Sequence, residues 1–149
     1  MQRLNKAALE FSSRPENVAF ARVAVAALAS QLDFTLSDLE EIKVAVSEAV
    51  TNAIIHGYDN NPECMVRLEI KIVEEFIEIE IIDTGKGIKD ITKALEPAYS
   101  TDPERMGLGF SFMQSFMENF SVSSSPGKGT RVKMSRRAGT PGRKAVSEQ

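Results

Sequence analysis

The chain has 149 residues, 42% of them hydrophobic, which fits one domain with its own core rather than two. A net charge of −3 gives no basic footprint for nucleic acid, and Cys64, the only cysteine, rules out an internal disulfide or a cysteine-based metal cluster. No apolar run follows a basic start and no stretch approaches the roughly 18 apolar residues of a membrane span, so a soluble, cytoplasmic protein is expected.

In chain order, residues 7–12 read as a short edge strand. Pro15 suits a first helical turn, where no amide donor is needed, and Val18, Ala21, Val25, Leu28 and Leu32 recur at helical spacing over 15–32. Thr35-Leu-Ser-Asp fits a capping box and opens a second helix, whose stripe Leu39, Ile42, Val46, Ala49, Val50 and Ala53 marks one buried face. Gly57 is expected to end that helix in the left-handed conformation. Beyond the turn at 59–62, residues 64–73 and 76–82 alternate with period two and predict a β-hairpin with one buried face. A short helix over 88–96, a mobile loop over 97–106 and a Phe- and Met-rich helix over 107–120 follow. Two strands, 121–125 and 129–135, flank Pro126-Gly127-Lys128-Gly129. This order predicts an α+β two-layer sandwich, a mixed, mostly antiparallel sheet with helices on one face. The domain is expected over 1–135. Residues 136–149 carry a net +3, leaving −6 for the body, and with Gly139, Pro141 and Gly142 they read as a disordered basic tail.

Four motifs carry candidate chemistry. In Ser47-Glu-Ala-Val-Thr-Asn-Ala-Ile-Ile-His-Gly-Tyr58, residues Glu48, Asn52 and His56 are four apart and share the helix face opposite the apolar stripe. In Ile81-Ile-Asp-Thr-Gly-Lys-Gly-Ile88, a strand delivers Asp83, a carboxylate able to accept from an exocyclic amine, and Gly85 and Gly87 let a flat ring approach the backbone. Gly107-Leu108-Gly109 opens a helix whose free amides form an anion site. Pro126-Gly-Lys-Gly-Thr-Arg-Val132 lacks the spacing of a Walker loop. Alone, each has a simpler reading: a solvated helix face, a tight turn, a weak glycine pair, a hairpin turn.

Their order says more. A helix with E-x-x-x-N, a strand ending in D-x-G-x-G, a loop, G-x-G opening a helix and G-x-G-T before a last strand resemble the ATP-binding family of histidine-kinase catalytic domains, Hsp90 and type II topoisomerases. The likeness runs from about residue 8 to 135. It implies an α/β sandwich that binds ATP or ADP under a flexible lid. Asn52 would hold Mg²⁺ and Asp83 would read the adenine amino group. Gly85, Gly87 and Thr130 would shape the base pocket, and Gly107, Leu108 and Gly109 would offer amides to the phosphates. Glu48 would be the general base. His56, inside the first motif, is not expected to accept phosphate.

The size of the chain and residues 11–34, Phe-Ser-Ser-Arg-Pro-Glu-Asn onward, resemble the anti-sigma F serine kinases of spore-forming bacteria more closely. That likeness implies a homodimer that holds a sporulation sigma factor of the sigma F type. It also implies phosphorylation of a serine on an anti-anti-sigma (STAS-type) antagonist. Arg22 corresponds to a partner-contacting position, with an ordinary exposed helix arginine as the alternative. The lid segment Pro97-Ala-Tyr-Ser-Thr-Asp-Pro-Glu-Arg105 departs from the pattern: it is short by about two residues and has Asp102 where a Lys is expected. Thr101 and Arg105 are then the candidates to face the phosphates. Two further readings stay open: a nucleotide-gated anti-sigma module without kinase turnover, and a stress-response kinase with another sigma partner.

Overall fold

The computed structural model describes residues 4–94 and 106–139, with backbone alone at Lys93 and at 106–108. Five strands form one sheet: β1 (Leu4–Ser12), β2 (Met65–Val73), β3 (Phe76–Asp83), β4 (Asn119–Ser125) and β5 (Gly129–Arg137), in the spatial order β1-β2-β3-β5-β4. The α+β class is as expected. Every pairing among the described strands is antiparallel, because two hairpins, β2–β3 and β4–β5, meet edge to edge and β1 extends the far side. β1 pairs along its whole length, from Leu4 opposite Val73 to Ser12 opposite Met65, and is longer than the sequence predicts.

Helices α1 (Asn17–Ala29) and α2 (Leu36–Asn52), a short α3 (Ile91–Ala94) and α4 (Met106–Phe116) complete the second layer. Period-two alternation sends Val66, Leu68, Ile70, Ile72, Ile77, Ile79 and Ile81 to the helices, where all are buried. Each such side chain stabilises the fold by roughly 1.5–3 kcal/mol. The helices answer with Ala21, Val25 and Ala29 on α1 and Ile42, Ala45, Val46, Ala49 and Val50 on α2. Leu39 packs at the edge of this core rather than inside it.

The opposite sheet face is open. Its charges pair across strands, Arg67 with Glu10 (3.4 Å), Lys71 with Glu78 (3.9 Å) and Arg131 with Glu80, and along β2, Arg67 with Glu69 (2.7 Å). Exposed pairs of this kind contribute about 0–1 kcal/mol each and chiefly keep the face wet. A trough of about 420 Å³ crosses this face, but its paired charges make it a solvated surface.

The capping box forms as predicted, with Thr35 Oγ1 accepting from the Asp38 amide and Asp38 Oδ2 accepting from the Thr35 amide, both at 3.0 Å. Other boundaries differ from expectation, two of them near the end of the domain. Arg136 and Arg137 belong to β5, not to a tail, and Arg136 is fully buried. Its guanidinium bonds Asp38 Oδ1 at 2.6 Å and Glu41 Oε1 at 2.8 Å on α2, which is why so polar a residue fits within an inner strand. It also donates to the Phe116 carbonyl at 2.9 Å. The long helix expected to reach residue 120 stops at Phe116, where that carbonyl is capped and the Glu118 amide turns to the Ser135 carbonyl at 3.0 Å to start β4.

Candidate functional site

After Asn52 the second helix widens into a π-helical turn, Ala53–Gly57, closed by the Tyr58 amide on the Ala53 carbonyl at 3.0 Å. This turn carries Gly57 against the end of β3. A Cβ on Gly57 would lie 2.8 Å from the Asp83 carboxyl carbon, so close approach explains the glycine. Gly57 does not adopt the left-handed conformation expected of it; Asp59 and Asn60 do, at φ 52° and 61°. Gly85 stacks on the same wall, where a Cβ would fall 2.0 Å from the Gly57 carbonyl oxygen. Gly87, at φ +77°, lets the loop turn back against the Ser125 carbonyl.

Asp83 is therefore a carboxylate set in glycine backbone. It is 5% exposed and accepts from the Gly85 amide at 2.9 Å and from the Thr130 amide beside it in the β3–β5 ladder. Burial pushes its pKa up, and the two amides oppose that rise. A carboxyl whose folded pKa lies above its unfolded value favours the native state at acid pH, and that contribution is lost as pH rises through the folded pKa. We expect the stability of the wild type relative to Asp83→Asn to fall as pH climbs from the unfolded carboxylate range through this value. Denaturant melts of both proteins across that range check the sign.

Across a narrow space from Asp83 lies the Glu48–Asn52–His56 face. The sequence places it opposite the core stripe, with a solvated surface as the simpler reading; instead α4 lies over it and leaves all three residues half-buried. Gly109 makes the contact: a Cβ there would sit 3.0 Å from Glu48 Oε1 and 3.4 Å from Asn52 Nδ2. Gly107 and Leu108 precede it in the first turn of α4. Asn52, His56, Asp83, Gly87, Phe110 and Thr130 are among the residues enclosing a cavity of about 20 Å³, room for one water-sized group. The Asn52 Nδ2 atom is buried there with no hydrogen-bond partner among the described residues.

Arg22 reaches across the α1–α2 seam and donates to Ser47 Oγ at 3.4 Å, beside Glu48; it is half-buried rather than a free surface arginine. Thr101, Arg105 and Asp102 lie outside the described residues, as does most of the expected loop. Two hydroxyls that sequence reasoning passed over hold the site's backbone. The Tyr58 hydroxyl accepts from the Thr84 amide at 2.7 Å, and Ser124 Oγ accepts from the Ile88 amide at 2.8 Å. Tyr58 is visible only as the residue after His-Gly, and Ser124 only as one of several serines on β4.

The histidine kinase-like ATPase domain family matches this chain over residues 11–136. The anti-sigma F factor of Clostridium botulinum is 50% identical over 135 residues, covering 89% of this chain and 94% of the relative. That of Oceanobacillus iheyensis is 52% identical over 134 residues, covering 89% and 92%. The chain belongs to the anti-sigma F factor family of histidine kinase-like ATPases. Among solved structures, the RsbU and RsbW domains of a Mycobacterium tuberculosis protein superpose with a TM-score of 0.60 at 17% identity. The match covers 90% of this chain and 33% of that one, and the likeness is one of fold. For an anti-sigma F family member, the family match ends inside β5, one residue before its last strand position, Arg137.

Proposed function

We propose that this chain is an ATP-dependent anti-sigma switch, holding a sigma factor of the sigma F type and phosphorylating a serine on its anti-anti-sigma antagonist. The observation that carries the reading is Asp83: a buried carboxylate, oriented by two backbone amides and walled by Gly57 and Gly85, facing Asn52 and Thr130. A carboxylate so placed accepts from the adenine amino group, while the glycines leave room for a flat ring. The present 20 Å³ cannot hold that ring, so binding requires Phe110 on α4 to draw back from Asp83.

At the other end, Gly107, Leu108 and Gly109 offer amides at the start of α4 to the phosphates. Asn52 suits Mg²⁺: its buried amide nitrogen lacks a partner among the described residues, and a flip of that amide exchanges nitrogen for oxygen. One protein oxygen is an ordinary share for a Mg²⁺ otherwise held by phosphates and water. When bound, the ion supplies neutralisation of charge on the transferred phosphoryl group. Glu48, one helical turn before Asn52, takes the proton from the substrate serine as its oxygen bonds to the γ-phosphorus. The bond between that phosphorus and the β–γ bridging oxygen breaks, and ADP leaves. Thr101 and Arg105 are assigned to the phosphates, Arg22 to the protein partner, and the working unit to a homodimer.

Glu48→Ala is expected to bind nucleotide as the wild type does and to lose serine phosphorylation by roughly 10²–10⁴-fold. Incubation with an anti-anti-sigma protein and labelled ATP reads the transfer. Unchanged labelling assigns the base elsewhere. No label in the wild type, with sigma factor still held, would leave a nucleotide-gated binding module in place of the kinase. Capture of a different sigma factor would point to the stress-response alternative.

A further inference from the structure

The loop that follows Asp83 is fastened at both ends by hydroxyls that do not line the cavity. At its start the Thr84 amide donates to the Tyr58 hydroxyl at 2.7 Å, and that hydroxyl donates to the Met65 carbonyl at 2.8 Å. The Thr84 hydroxyl lies 3.2 Å from the same oxygen. At the loop's end the Ile88 amide donates to Ser124 Oγ at 2.8 Å. Ser124 Oγ is also 2.9 Å from the Gly129 carbonyl and 2.8 Å from Thr130 Oγ1. Between these points the Lys86 amide bonds the Gly57 carbonyl at 3.0 Å and the Lys86 carbonyl takes the Gly127 amide at 2.6 Å. Gly57 packs closely against the Asp83 carboxylate on the helix side, so the backbone of the loop sets the other limit on where that carboxylate sits.

We infer that Tyr58 and Ser124 are positioning residues for base recognition, setting through the 84–88 backbone and Thr130 where the Asp83 carboxylate meets a purine's exocyclic amine. The inference rests on the reading of Asp83 as the adenine acceptor. A hydroxyl carries one proton and two lone pairs, so each of these side chains can serve donor and acceptor neighbours at once. Tyr58→Phe leaves the Thr84 amide and the Met65 carbonyl without that partner while keeping the ring in the core. Ser124→Ala releases the Ile88 amide, the Gly129 carbonyl and the Thr130 hydroxyl together.

The test compares binding of ATP with that of purine riboside triphosphate, which differs only in lacking the 6-amino group. The ratio of the two affinities isolates the contact with Asp83. In the wild type ATP is expected to bind on the order of tenfold or more tightly. Tyr58→Phe and Ser124→Ala are each expected to cut that ratio by about threefold to tenfold, leaving affinity for the des-amino nucleotide within about twofold. A role in stability alone would lower the melting temperature and leave the ratio unchanged, and that result in both variants overturns the inference. A wild type that binds the two nucleotides equally removes the Asp83 reading itself, a different failure from an unchanged ratio in the variants. If Tyr58→Phe does not fold, Ser124→Ala alone decides.

Discussion

Arg136→Ala is expected to destabilise the protein by about 3–5 kcal/mol, a large share of the stability of a domain this size. The side chain is fully buried and ties three elements at one point: β5, on which it stands; α2, through Asp38 and Glu41; and the last carbonyls of α4, through Phe116. Its removal leaves carboxylates at that junction without their cation and a helix end without its cap. Asp38 adds to the loss, because its other oxygen closes the capping box that starts α2. Guanidinium chloride melts provide the check. A cost below about 1 kcal/mol, the worth of an exposed arginine pair, would mean that the buried cluster does not hold these elements together.

Asp83→Ala is the second substitution with a large expected effect: a loss of ATP affinity of about 10-fold to 100-fold. A charge-assisted hydrogen bond in a desolvated site is worth about 1.5–3 kcal/mol, and every 1.4 kcal/mol is tenfold. The variant also strands the Gly85 and Thr130 amides that now converge on the carboxylate. The fold should survive, because removal of a buried charge offsets part of what those amides lose. Calorimetry on the folded variant gives the answer, and ATP binding of wild-type strength would remove Asp83 from the base pocket.

Much of this fold is legible in the sequence because the signals are periodic. Alternating isoleucines fix β2 and β3, a stripe at helical spacing fixes α2, and Thr35 with Asp38 fixes where α2 begins. The misses share a cause: interactions distant in sequence decided them. Phe- and Met-rich residues near 116–120 fit a helix or a strand equally well, and only Arg136, far along the chain, sets the boundary. Arg136 itself looks like the first residue of a basic tail until Asp38 and Glu41 are placed around it. Gly57 resembles an ordinary helix terminator, yet its reason lies in a carboxylate 26 positions later, reached through a π-helical turn that spacing does not announce. For the candidate site, the sequence motifs bring Glu48, Asn52, Asp83, Gly109 and Thr130 to one region. Tyr58 and Ser124 escape it, because one hydroxyl looks like any other until its partners are known.

The most direct measurement is a titration of the purified protein with ATP and ADP, with and without Mg²⁺, in the wild type and in Asn52→Ala. The central claim is that the cavity between α2, the end of β3 and α4 is a Mg²⁺-nucleotide site. It predicts saturable nucleotide binding by the wild type, weakened in Asn52→Ala mainly when Mg²⁺ is present. Absence of any nucleotide binding, or an Asn52→Ala variant whose affinity matches the wild type with and without Mg²⁺, would contradict it.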